Sequence, residues 1–289
     1  MHGCKTLVLP VLLAAAAHAG QVSGTSALEL TRQVVDHGPR TPGSPASRKL
    51  QTFIAAKLRE FGWQVIEDPF TAQTPAGRVA MRNIIGFKKG SGTSALAVSG
   101  HYDTKRFPFR FVGANDAGSS TGLLLELARA MKDETFSHDI FLIFHDGEEA
   151  FGDWSEADSL YGSRHLAAKW RADGTLSRLK ALINVDMIGD RDLKIVQEMY
   201  SSEPLRRLVW QIAAELGYSA HFTSLPYPIE DDHVPFLRNG VRALNLIDFE
   251  YGPGHAWWHT ADDTMDKLSP RSLEVIGRVV HEALRRLSR

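Results

Sequence analysis

Two adjacent carboxylates, Glu148 and Glu149, follow an apolar stretch at 140–144 by way of His145-Asp146-Gly147. Neighbouring like charges at a strand end cost free energy unless a cation lies between them or one of them keeps a proton. A carboxylate that binds a metal beside one that stays free meets both conditions, and it creates an ion site with a general acid/base next to it. Other groups of the same chemistry recur along the chain: His101-x-Asp103, Asp116 in Gly113-Ala114-Asn115-Asp116, Asp186 in Asn184-Val185-Asp186, and the run from Asp248 to His259. Singly these are weak signals, because a strand-end His can simply bond a neighbouring acid and Asp is favoured as a helix N-cap. Brought together, a mixed His/Asp/Glu set without cysteine suits zinc or a similar divalent ion.

The elements that would bring them together alternate between strand and helix. Ser44-Pro45 opens a helix that Gly62 stops, and extended stretches at 64–74 and 78–87 flank a Pro75-Ala76-Gly77 turn. A strand at 94–99, a helix after Asp116, a strand at 140–144 and a helix at 162–170 come next. Then follow a strand at 181–187, a helix at 204–216, another after Asp232, a strand at 243–247 and a terminal helix from Ser269. This alternation predicts an α/β fold of three layers, α/β/α, around a mostly parallel, mixed central sheet. Ligand sites in such sheets lie beyond the carboxyl ends of the strands, where five segments would deliver the acids and imidazoles.

The bulk numbers set limits. With 289 residues, 43% of them hydrophobic, the chain is long enough for a full core. A net charge of -1 leaves no basic excess for nucleic acid or anionic membranes. Residues 1–19 read as a signal peptide: Lys5, an apolar run at 7–17, then Ala17-His18-Ala19. The run is too short for a membrane-spanning helix of about 20 residues, so the mature chain would have no stable membrane insertion. The single cysteine, Cys4, lies inside this segment, leaving the mature chain free of disulfides. The expectation is one domain over 20–289, exported to the periplasm or beyond, and monomeric.

His101-x-Asp103, Asn115-Asp116, Glu148-Glu149, Asn184-Val185-Asp186 and His259-Thr260 together resemble the ordered signature of the M28-type zinc aminopeptidase clan with its phosphorylase/hydrolase-like fold. Within that clan the blocks at 101–105, 111–116, 144–151 with Trp154, 158–167, 229–238 and 258–263 resemble the animal-type glutaminyl-peptide cyclotransferases. The resemblance implies one zinc held by Asp116, Glu149 and His259, Glu148 as proton shuttle, and Asp186 and Asp231 as a supporting acidic network. It implies a pocket lined by Trp258 and Trp154 that takes the N-terminal Gln of a peptide or protein, closes it to pyroglutamate and releases ammonia. His101, Asp103 and His233 are then either ligands of a second metal or partners of the first set.

Other readings accompany this one. In a two-zinc aminopeptidase, His101 and Asp186 would bind a second ion, Asp116 would bridge the two, and Glu148 would activate a water. A catalytically dead binding domain of the same fold should have lost ligands or Glu148, and all are present. Segments 184–190 and 249–257 depart from the animal pattern: the first reads like bacterial aminopeptidases and passes into a strand, the second is richer in Gly. Trp257 is expected to pack, Asp262-Asp263 to turn or cap the chain before the last helix, and Arg285, Arg286 and Arg289 to form a solvated helix end. Nothing in the sequence accounts for His145.

Overall fold

The computed structural model describes residues 20–289, so the signal-peptide reading and Cys4 lie outside the described residues. In chain order the helices are α1 (Gly24–Val35), α2 (Pro45–Glu60), α3 (Ser120–Ala130), α4 (Tyr161–Ala172), α5 (Thr175–Arg178), α6 (Glu203–Glu215), α7 (Val234–Leu237) and α8 (Pro270–Leu287). The strands are β1 (Gln64–Thr74), β2 (Gly77–Lys88), β3 (Ala95–His101), β4 (Asp139–His145), β5 (Leu179–Asp186), β6 (Ile195–Glu198), β7 (Phe222–Tyr227) and β8 (Ala243–Ile247). Six strands form one sheet in the order β1-β2-β4-β3-β5-β8, and β6 pairs with β7 in a small second sheet. The β1–β2 and β2–β4 pairs are antiparallel, whereas β4, β3, β5 and β8 run parallel, which is the mixed sheet expected.

The parallel strands are apolar on both faces because helices cover both. Along β4, Ile140, Leu142 and Phe144 enter the core that α1, α2, α3, α6 and α8 close, while Phe141 and Ile143 face the core containing Trp170, Leu166 and Phe236. Side chains alternate across a strand, so one contiguous apolar run serves two layers. Helix starts follow local chemistry: Ser44 accepts from Ser47 N and Pro45 occupies the first turn of α2, and Ser269 with Pro270 repeats the arrangement at α8.

Three elements differ from the expectation. Helix α1 precedes the first helix foreseen and packs Ala27, Leu30 and Val34 into the main core; its apolar positions are interrupted by Thr25, Ser26 and Thr31. The helix after Asp232 is only four residues long. Strand β7 carries Pro226 and pairs only with β6, so its hydrophobic pattern is slight.

Register aligns the functional edge. His101 pairs with His145 across β3 and β4, and Asp186 pairs with Ile247 across β5 and β8. The four parallel strands therefore end level, and the residues just beyond them share one rim.

Candidate active site

His101 closes β3 and is fully buried. Its Nε2 lies 3.3 Å from Asp116 Oδ1 and 3.2 Å from Asp186 Oδ1, and its Nδ1 lies 3.5 Å from Asp103 Oδ1 and 4.0 Å from Glu148 Oε2. Asp103 has a further role. Its two oxygens accept from the backbone N–H groups of Glu148 (3.1 Å) and Glu149 (3.3 Å), pinning the turn on which both glutamates stand.

Asp116 lies in the wide turn Ala114–Ser119 and outside helical geometry, and the Asp116–Ala117 peptide bond is cis. It caps no helix, since α3 begins only at Ser120. The turn needs Gly113, whose φ is +50° and where a Cβ would meet the Asp116 carbonyl oxygen at 1.8 Å. Asp263 supports it from below, accepting from Asn115 N (2.8 Å), Asp116 N (3.2 Å) and the Tyr251 hydroxyl (2.8 Å). The expectation that Asp263 merely turns the chain is thereby corrected: a fully buried carboxylate here satisfies the donors of the ligand loop.

His259 Nε2 reaches Asp116 Oδ2 at 3.2 Å and Glu149 Oε1 at 3.1 Å, while Glu149 Oε2 faces Lys105 Nζ at 3.6 Å. His259 has φ +55°, an uncommon conformation for a residue with a Cβ that functional sites tolerate. The ring of Trp258 stacks on it, with centroids 4.2 Å apart and planes at 20°. Phe249 packs against Trp258 at 5.2 Å. Both expected tryptophans line a cavity of about 540 Å³, whose wall also includes Lys105, Glu148, Asp186, Ile229, Asp231 and Phe249. Trp154 stands at its rim, 41% exposed.

Two donor sets converge. Asp116, Glu149 and His259 each offer an atom, all within 4.8 Å of one another, and His101, Asp116 and Asp186 do the same. Imidazole with carboxylate oxygens, buried and without sulfur, fits a zinc ion. A metal also relieves the repulsion otherwise stored among these acids.

Electrostatics agree with that picture. Burial pushes Glu148 well above the usual carboxylate range, with Glu149, Asp231 and Asp232 adding to it against His101 as the nearby cation. Burial likewise raises Asp186, to about 7. Burial opposes charge on His259, but Asp116 and Glu149 outweigh it and raise the imidazole to about 10. Asp116 is held low, because hydrogen bonds from His101 and His259 overcome its burial.

Asp231 joins the rim through Asn245, whose Nδ2 donates to Asp231 Oδ2 at 2.7 Å. His233 does not join the acids. Its Nε2 donates to Glu198 Oε2 at 2.9 Å, and it belongs to neither donor set, so it is neither a second-metal ligand nor a direct partner of Glu148. Sequence reasoning missed Glu198, which lies at the end of β6 without a recognisable motif, as well as Asp263 and the buried Arg40. Arg40 donates to the carbonyls of Tyr102 (3.0 Å) and Gly113 (3.0 Å), tying together the two ends of the loop that carries Lys105. His145 is buried beside Phe236 with neither ring nitrogen bonded, and burial lowers it to about 3. A neutral imidazole thus acts there as core filler.

The pattern of Peptidase family M28 matches residues 83–284. The glutaminyl-peptide cyclotransferase-like protein of Bos taurus is 32% identical over 275 residues, covering 83% of this chain and 70% of its own. The crystal structure of a glutaminyl cyclase from an Acidobacteriales bacterium superposes with a TM-score of 0.90 at 39% identity, over 98% of this chain and 99% of that one. A glutaminyl cyclase from Porphyromonas gingivalis gives 0.85 at 30% identity, over 92% and 99%.

Proposed function

The chain belongs to peptidase family M28 and, within it, to the glutaminyl-peptide cyclotransferases, and from that premise we propose that it converts the N-terminal glutamine of peptides and proteins to pyroglutamate with release of ammonia. One observation carries the reading: a His/Asp/Glu donor set with a second buried glutamate beside it, its proton affinity raised, opening into an aromatic cavity whose Trp258 stacks on His259.

Asp116, Glu149 and His259 would hold one zinc ion, which when bound supplies a Lewis acid for the side-chain carbonyl of the substrate glutamine. The chain supplies the rest. Trp258, Phe249 and Ile229 enclose the glutamine side chain and fold it back toward its own α-nitrogen, turning a flexible chain into an attacking conformer. Glu148 takes the proton released as the α-nitrogen bonds to the side-chain carbon. It then delivers that proton to the amide nitrogen, which leaves as ammonia. Its upward-shifted affinity lets it serve as base and acid in turn. Asp186 and Asp231 share the negative charge of this step, Asp186 holding a proton near neutrality and Asp231 anchored by the Asn245 amide. Asp103 and His101 orient Glu148 from behind.

The second donor set, sharing Asp116, supports the alternative of a two-zinc aminopeptidase. Metal analysis of the protein after dialysis separates the two: one zinc per chain with ammonia released from a Gln-initiated peptide supports the cyclase. Two zincs and no ammonia overturn it. The sequence of residues 1–19 supports export, and 20–289 forms the catalytic domain as a monomer; no helix among the described residues is long and apolar enough to cross a membrane.

A further inference from the structure

We propose that Glu198 and Asn245 are positioning residues of the reaction, which clamp the 229–233 segment so that Asp231 faces Glu148 and Ile229 forms the cavity wall. The inference rests on the cyclase reading. Its basis is a single carboxylate with its partners. Glu198 ends β6, is completely buried, and accepts five hydrogen bonds: Tyr200 N (2.8 Å) and Ile229 N (3.3 Å) on Oε1, and Ser201 N (2.7 Å), Ser201 Oγ (2.7 Å) and His233 Nε2 (2.9 Å) on Oε2. Ile229 and His233 lie two residues either side of Asp231. The carboxylate therefore grips both shoulders of the segment whose middle residue enters the site.

Asn245 holds that middle. Its side chain donates to Asp231 Oδ2 at 2.7 Å, and its backbone N–H donates to Ser201 Oγ at 2.9 Å, the same hydroxyl that bonds Glu198. The amide is itself oriented by a line of buried side chains. Ser99 Oγ donates to Asn184 Oδ1 at 2.7 Å, and Asn184 Nδ2 donates to Asn245 Oδ1 at 3.1 Å. This line crosses the sheet from β3 through β5 to β8, with every donor directed toward Asp231. Fixed in this sense, Asn245 presents N–H to Asp231 and holds its Oδ2 in one place.

Asp231 thus owes its place to two groups rooted in different sheets, the small β6–β7 sheet and the central one. Loosening either should let the acid drift from Glu148 and slow proton transfer, while a peptide still enters the cavity. Placement errors near an angstrom cost up to about 100-fold in rate. Replacing Glu198 by Gln keeps the volume but turns an amide N–H₂ toward N–H donors.

The experiment compares kcat and KM for a Gln-initiated peptide in metal-replete wild type, Glu198→Gln, Asp231→Asn and the double variant, well below their melting temperatures. The expected result is a fall in kcat of about tenfold for Glu198→Gln, with KM within threefold, and less than a twofold further effect in the Asp231→Asn background, because contacts that act through one residue are not additive. A kcat within twofold of wild type, or a full tenfold loss persisting without Asp231, overturns the proposal. If Glu198→Gln does not fold, His233→Ala takes its place in the same cycle, with His233→Gln, which keeps an N–H donor, expected to recover at least part of the rate; absence of both effects overturns the proposal. Wild type that releases no ammonia overturns the cyclase reading, and this inference with it.

Discussion

Replacing Asp103 by Asn tests how the paired glutamates are held. The wild-type carboxylate gives one oxygen to the N–H of Glu148 and the other to the N–H of Glu149, with no exposure to solvent. Asparagine can satisfy only one of them; its amide group then faces the other donor. An unpaired buried N–H costs about 1–3 kcal/mol, and taking about 2 kcal/mol, the melting temperature of a chain of this size should fall by about 3–4 °C. The change also frees the turn that carries Glu148, so kcat should drop by about 100-fold, the cost of an angstrom-scale misplacement. Calorimetry and steady-state ammonia release, on protein shown to be folded by circular dichroism, measure both. A variant with kcat/KM within threefold of wild type and unchanged melting would refute the argument that Asp103 fixes the pair.

Trp258→Ala should raise KM for a Gln-initiated peptide about tenfold by removing a ring stacked at 4.2 Å on His259, whereas an unchanged KM would place the substrate elsewhere. Arg40→Met leaves the carbonyls of Tyr102 and Gly113 without their buried donor, so denaturant unfolding should show a loss of about 2–4 kcal/mol; a loss below about 1 kcal/mol would contradict the role given to it. Asp68 is buried, which alone would raise it, but hydrogen bonds from His165, Lys169 and Asn83 prevail and lower it to about 2. A depressed acid stabilises the fold above its unfolded value and loses that contribution as pH falls through its folded one. Asp68→Asn should therefore destabilise by about 2 kcal/mol at pH 5 and by almost nothing near pH 2, as read by urea unfolding of both proteins at each pH; a constant difference would exclude the ionic origin.

Much of the site was legible because its residues sit where chain geometry forces them. The parallel strands are short apolar runs, and His101, Glu148, Glu149 and Asp186 follow their ends, so the strand-end rule alone placed them on one rim. The Ser44-Pro45 start and the turn between β1 and β2 were equally readable from local chemistry. What escaped depends on contacts between segments far apart in sequence. Asp263 looked like a turn residue because its donors, Asn115 N and Asp116 N, lie about 150 positions away. Glu198 belongs to no motif, yet the segments at 200–201 and 229–233 converge on it. His233 was read as a partner of the acids beside it, but its Nε2 bonds Glu198 instead. Periodicity reveals which face of an element is buried, and it is silent about which loop closes over a polar side chain.

A cyclase closes the glutamine ring without cutting a peptide bond, and an aminopeptidase does the reverse. The most direct measurement supplies the metal-replete protein with a Gln-initiated peptide carrying heavy nitrogen at the α-position, and follows ammonia and peptide by mass spectrometry. Ring closure yields light ammonia, a peptide lighter only by that ammonia and retaining the heavy atom, and loss of both products in Glu148→Gln. Free heavy-labelled glutamine with a peptide one residue shorter would contradict it and establish an aminopeptidase.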